Sequence, residues 1–241
     1  MDALIKISFA ITLFLFGNFY TNAQNTNSIK GSGNVITKTV NTESYEKIHI
    51  SGSMQVFLKK GAEGNINISA EDNVMDRVVV ESDGETLTIS MKNNTSLYNT
   101  KKIKITVPFE EISEVSLRGS GNVEGKDLLK SSSLALNIHG SGNINASVEA
   151  TTLDVQLNGS GDMELSGNVT DVEVKTSGSG NFEGKELISE NAQIYISGSG
   201  DSTIFANTML KARIQGSGSV LYGGNPTSDV KIMGSGKVKS L

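Results

Sequence analysis

Apolar and polar residues alternate with a period of two along most of this chain, and the alternation restarts at a recurrent tripeptide. Gly-Ser-Gly begins at Gly31, Gly119, Gly140, Gly159, Gly178, Gly198, Gly216 and Gly234. From Gly119 onward the steps are 21, 19, 19, 20, 18 and 18 residues. Four positions before the first glycine stand Val115, Leu136, Val155, Val174, Ile194, Ala212 and Val230. Two positions before it stand Leu117, Ile138, Leu157, Thr176, Ile196, Ile214 and Ile232. Between these rows lie Ser116, Asn137, Gln156, Lys175, Tyr195, Arg213 and Lys231, which are mostly polar. Successive side chains of a strand point to opposite faces, so each stretch predicts a short strand with one face buried and one wet.

Beyond the tripeptide comes Asn or Asp in six of eight copies: Asn34, Asn122, Asn143, Asp162, Asn181 and Asp201. An apolar residue follows in seven of eight: Val35, Val123, Ile144, Met163, Phe182, Val220 and Val238. A second strand is therefore predicted after each tripeptide, with the glycines supplying a sharp corner. Glycine density, β-branched content and the two-residue period exclude helix here. A repeat near 20 residues is short for a propeller blade and fits one coil of a solenoid, with a contour of roughly 60 Å at ~3.3 Å per residue. Successive coils should stack in parallel about 4.8 Å apart, and one coil alone buries too little to offset its ordering. The expected fold class is an all-β solenoid.

The first third departs from this rhythm. Residues 45–110 carry one degenerate copy, Ile50-Ser51-Gly52-Ser53-Met54-Gln55-Val56. Strands are expected over residues 48–58, 65–69, 78–81, 86–91 and 103–107, with turns at 60–64 and 82–85, the second of them a hairpin. Pro108 closes the last strand, and the polar loop 92–100 is expected to be mobile. No Pro- or Ser-rich linker divides the chain. Residues 24–241 therefore read as a single solenoid domain with hairpins inserted into its first coils, the alternative being a separate small sandwich over 45–110.

The register of these tripeptides with an alternating strand before them and Asn-apolar after them, together with Val107-Pro108 closing the hairpin-rich opening, resembles the bacterial head GIN domain family, named for a role as auto-transporter adhesins. The resemblance covers roughly residues 30–241. It implies a right-handed parallel β-helix-like fold, export to the cell envelope and an adhesive role, and it carries over no catalytic residues. No translocating β-barrel is expected after the tripeptide at Gly234, so the secretion route in the family's name is not expected here.

Composition and charge narrow the function. The chain holds 26 acidic and 21 basic residues and no cysteine. An acidic balance argues against a nucleic-acid partner, and the lack of thiols excludes disulfides, zinc-thiolate sites and cysteine nucleophiles. Lys6 precedes an apolar run over residues 7–16, too short for the ~20 residues that span a bilayer. With Thr21-Asn22-Ala23 before a plausible cut, residues 1–23 read as a signal peptide, the mature chain starting near Gln24. The protein is thus expected outside the cytoplasm: in the periplasm, on the outer-membrane surface or in the medium, with no transmembrane span in the mature chain.

Candidate chemistry is sparse. Asp162 and Glu164 lie two apart on one strand, as do Asp171 and Glu173, and each pair shares a face at ~7 Å. Such a pair is the basis of the alternative reading, a polysaccharide-degrading β-helix enzyme. Charged residues alternating along an exposed face serve solubility more commonly. His49 and His139 occupy outward positions on different strands with no acidic or serine partner at motif spacing. Gly-Ser-Gly-Asp at Gly159 and Gly198 is similar to calcium-binding rolls, but their nonapeptide period is half of this one, and the expectation is that Asn or Asp bonds its own turn or stacks in a ladder. No catalytic, cofactor or metal set is expected. Lys175, Tyr195, Arg213 and Lys231 hold the same outward position on four successive coils, and they form the candidate row for a cell-surface glycan or an envelope protein. The leading expectation is an exported, non-catalytic binding scaffold. An assembly scaffold that docks through an open solenoid end is a further possibility.

Overall fold

The computed structural model describes residues 27–241, so the leader expected over residues 1–23 lies outside the described residues. The strands in chain order are β1 (Asn27–Lys30), β2 (Val35–Asn41), β3 (Lys47–Gly52), β4 (Gln55–Lys60), β5 (Asn65–Glu71), β6 (Val78–Ser82) and β7 (Thr86–Met91). They continue with β8 (Thr95–Tyr98), β9 (Lys104–Phe109), β10 (Glu114–Gly119), β11 (Asn122–Gly125), β12 (Leu129–Gly140) and β13 (Asn143–Gly159). The last are β14 (Met163–Gly178), β15 (Phe182–Gly198), β16 (Ser202–Gly216), β17 (Ser219–Gly223), β18 (Thr227–Gly234) and β19 (Lys237–Ser240). A single helical turn, Asp72–Met75, interrupts them. No helix among the described residues is long and apolar enough to cross a membrane.

The chain winds into a parallel β-solenoid of about seven turns, as the repeat predicts. From β10 onward each strand pairs with the equivalent segment of the next coil. Val115, Leu136, Val155, Val174, Ile194, Ala212 and Val230 fall in one register, and Leu117, Ile138, Leu157, Thr176, Ile196, Ile214 and Ile232 in another. All these inward residues are buried except those of β18. The aliphatic column between the sheets is the core. Phe182 is fully buried beside Ser202 on the next coil, so a large and a small side chain share the space of two medium ones.

The corners explain the tripeptide. Gly178 has φ +125°, and a Cβ there would sit 2.2 Å from the carbonyl oxygen of Gly159 on the coil below. That oxygen accepts the Ser179 backbone N–H at 2.9 Å, and the same bond recurs from Ser141, Ser160, Ser199, Ser217 and Ser235. A side chain at the first glycine would therefore collide with the acceptor that holds consecutive coils together. Conformation and close approach demand glycine at once.

Two of the expected corners differ. The degenerate copy at Gly52 is a true corner: Gly52 pairs with Gly119, and Met54 replaces the second glycine. Residues 48–58 consequently form two strands, β3 and β4, and not one. The first copy, Gly31-Ser32-Gly33, is no corner. It wraps the end of β5, where Glu71 is 2% exposed. The Gly33 amide donates to Glu71 Oε1 at 2.6 Å and the Lys101 amide to Oε2 at 3.1 Å. The Ser32 hydroxyl donates to Asp72 at 2.5 Å, and that bond, with those from Asn34 and the Asn73 amide, holds the Asp72 carboxyl below its ordinary range.

The first third caps the solenoid out of chain order. β7 stacks in parallel beneath β3 and β9 beneath β4, so the rung formed later in the chain lies outermost. β6 then covers β7, β5 covers β9, and β2 covers β5, all antiparallel. The predicted 82–85 hairpin is present, with Asp83 Oδ1 accepting the amides of Glu85 and Thr86. Loop 92–100 is not simply a loop, because β8 forms inside it and pairs in parallel with β1. Buried Tyr45 donates its hydroxyl to the Pro108 carbonyl; burial, with help from Glu63, raises its pKa well above the usual tyrosine value. β3 and β4 pair directly with β10 and β11, so the parallel sheet runs unbroken from the cap into the regular coils.

Candidate functional site

Outward residues of the pre-corner strands form a continuous row: Thr88, His49, Ser116, Asn137, Gln156, Lys175, Tyr195, Arg213 and Lys231. Its last four members, singled out from the sequence, lie side by side because each occupies the same position of consecutive coils. Lys175 and Lys231 are exposed, whereas Tyr195 and Arg213 are half-buried. Between this row and the next outward one runs a shallow groove of about 360 Å³. Ser177, Ser197, Gln215 and Met233 make its second bank. The sequence reading missed that bank, although the two-residue period places it on the same face.

The charges of the row are largely matched from within the chain. Lys175 pairs with Glu173, and the hydrogen bond between them raises the lysine above its ordinary value. Arg213 pairs with Asp229, the guanidinium being raised and the carboxyl lowered by their shared hydrogen bond. Arg213 Nη1 also donates to the backbone carbonyl of Asp229 at 2.8 Å. The Tyr195 hydroxyl donates to Gln193 at 3.0 Å, and Lys211 Nζ lies 5.5 Å from the ring centroid, within cation–π reach. Among the described residues, no carboxylate lies within salt-bridge distance of Lys231. The groove therefore offers an ordered aromatic edge, two braced cations and one unmatched cation. Such an arrangement can hold an anionic or polyhydroxylated ligand by contact and charge.

The opposite side of the corner differs in sign. Asn122, Asn143, Asp162 and Asn181, with Glu124, Asn145, Glu164 and Glu183, line a polar groove of about 600 Å³. Asp162 and Glu164 share this face as expected, but one oxygen of each is engaged by a neighbouring coil. Asp162 Oδ1 accepts from the Asn181 amide and side chain at 3.0 and 2.9 Å, and Glu164 Oε2 accepts from Asn145 at 2.8 Å. The corner Asn and Asp residues thus bond across coils. Asn143 Oδ1 accepts the Asp162 amide, Asn181 Oδ1 the Asp201 amide, and Asp201 Oδ1 the Ser219 amide. Of the two expected roles, own-turn bonding and a ladder, the ladder is the one present. His49 finds a partner that sequence spacing hid, Glu114 at 3.1 Å on the neighbouring coil, and His139 lies 3.4 Å from the Asn158 amide.

Comparison with known proteins agrees with this geometry. The model of a family described as "Putative auto-transporter adhesin, head GIN domain" matches residues 44–226. No curated protein matches the chain. A solved structure described as a "putative adhesin" from Bacteroides fragilis NCTC 9343 is 25% identical, with a TM-score of 0.82 over 88% of this chain and 100% of its own. One described as a "putative lipid binding protein" from Parabacteroides distasonis ATCC 8503 is also 25% identical, with a TM-score of 0.73 over 89% and 99%. A further "putative adhesin", from Parabacteroides merdae ATCC 43184, is 21% identical, with a TM-score of 0.71 over 89% and 99%, and shares the fold.

Proposed function

The chain belongs to the head GIN domain family, and on that premise we propose that it is an exported, non-catalytic binding module of the cell envelope. Its cationic groove takes an anionic glycan or the acidic surface of an envelope protein. One observation carries the reading: Lys175, Tyr195, Arg213 and Lys231 line a single groove on a rigid parallel sheet. Rigid placement lowers the ordering cost of binding, and guanidinium and ammonium groups beside an aromatic ring suit carboxylated or sulfated sugars. The braced ion pairs keep the side chains extended before a ligand arrives. A family whose name states adhesion, and a neighbour of that name, support the reading.

An anionic lipid is the second occupant to test, favoured by Met233 at 55% exposure on the groove's bank and by the neighbour described as lipid binding. The experiment presents the purified protein to an array of neutral and anionic glycans, to whole cells, and to vesicles with and without anionic lipid. Binding to an anionic member, weakened on the order of tenfold or more by Lys175→Ala, Tyr195→Ala and Arg213→Ala together, is the expected result. Circular dichroism of the triple variant should be unchanged, since all three residues face outward. Absence of binding to every surface, or binding indifferent to the triple variant, removes the groove from the function. Export is tested separately by the N-terminal sequence of the processed chain, expected to begin at Gln24.

A further inference from the structure

The two ends of the solenoid are finished differently. At the N-terminal end the outer edge of β7 is occupied by β6 and that of β9 by β5, both antiparallel, so no parallel rung can be added there. At the other end β18 pairs with β16 and β19 with β17, and among the described residues neither has a second neighbour. Every residue of β18 is exposed. Val230 and Ile232 continue the inward rows yet are 42% and 38% accessible, where Ala212 and Ile214 one coil earlier are 0% and 1%. An open strand edge of this kind pairs with another strand unless it is blocked. β19 is guarded by Lys237 and Lys239, whereas the centre of β18 reads Asp229-Val230-Lys231, opposite charges flanking an apolar residue.

We infer that the protein forms a closed tail-to-tail dimer, in which β18 of one copy pairs antiparallel with β18 of a second copy about a two-fold axis at Val230. Rotation about the sheet normal reverses the strand and leaves inner faces inner, so opposed residues must belong to the same face. Registers centred on Asp229 or Lys231 set like charges against each other. Those centred on Ser228 or Ile232 give neither charge an opposite partner. The register centred on Val230 alone sets Asp229 against Lys231 of the second copy, twice by symmetry, with valine against valine between them. It also relieves Lys231, which lies in register beside Arg213 and lacks a carboxylate of its own. Because the contact is two-fold symmetric and uses the β18 edge of both copies, it closes at two and does not run on into a filament. The two cationic grooves, which end at Lys231 and Met233, then abut across the axis.

Sedimentation equilibrium of the purified protein should show a reversible dimer. Either Asp229→Lys or Lys231→Asp should weaken association on the order of tenfold or more, and both together in one chain should restore it. The chain has no cysteine, so Val230→Cys should give a disulfide-linked dimer on mild oxidation, opposed Cβ atoms of an antiparallel pair lying about 4.5–5.5 Å apart. Tyr98→Cys, in the cap and at least as exposed, should not. Val230 is half open in the single copy, so its replacement leaves the fold standing. A monomer at the highest soluble concentration, failure of the double swap to restore association, or cross-linking equal for both cysteines would overturn the proposal.

Discussion

Two copies of one tripeptide, in two regions of the molecule, do opposite work. In residues 114–241 each Gly-Ser-Gly is a corner whose first glycine is pressed against the carbonyl of the coil below. In the cap, Gly31-Ser32-Gly33 is a loop that offers amide and hydroxyl donors to the carboxylates of Glu71 and Asp72, and nothing lies within 4 Å of a Cβ built on Gly33. The regular region is held by repetition, each coil supplying the edge and apolar floor for the next. The cap is held by particular polar contacts and by antiparallel strands laid over the first rungs. The tripeptide therefore has no structural meaning until it is known whether a coil lies beneath it.

The sharpest way to break this comparison is to place alanine at each kind of glycine. Gly178→Ala meets both a φ of +125° and a backbone oxygen 2.2 Å away, and is expected to cost about 4 kcal/mol or more, read as loss of the cooperative thermal transition. Gly33→Ala keeps only the conformational part, about 1 kcal/mol. Equal costs would mean that the stacking contact does not matter. Within the regular region, Ile138→Ala should remove about 3 kcal/mol in denaturant titration, and Ile232→Ala on the open last rung less than about 1. In the cap, Glu71→Ala leaves the part-buried Gly33 and Lys101 amides without their acceptor and should cost about 1–2 kcal/mol. Its effect should stay local: hydrogen exchange should accelerate at Gly33 and Lys101 and remain slow in β13 to β15. The smallest effect has the opposite sign. Thr176 sits in an aliphatic row with its hydroxyl buried and without a partner, so Thr176→Val should be neutral or should stabilise by about 0.5–1 kcal/mol in denaturant titration.

Much of the fold was legible in particular residues. The rows through Val155 and Leu157, the outward position of Lys175 and Tyr195, and the hairpin at Asp83-Gly84 follow from side-chain periodicity and turn chemistry, which act over a few bonds. Other features were hidden because they depend on contacts far apart in the chain. The Glu71 clamp joins residues 38 or more positions from Gly33 with no motif to announce it. The pairing of β8 with β1 needs a free strand edge that appears only after the cap is built. Lys175, Tyr195, Arg213 and Lys231 lie in register on consecutive coils, but their bracing by Glu173 and Asp229 was not foreseen. Those partners lie on the adjacent outward row, where reach across the sheet surface decides the contact.

By itself the sequence determined the period of the coil and the inner and outer faces of the segments flanking each tripeptide after residue 114. These follow from backbone geometry repeated at a constant interval. Only the tertiary structure decided that Gly52 is a corner and Gly31 is not, that the rung of β7 and β9 lies outside that of β3 and β4, and that β18 is left with an open edge. Local periodicity is fixed by bond geometry, whereas the order in which strands stack depends on which edges are already taken, and that exists only once the chain has closed upon itself.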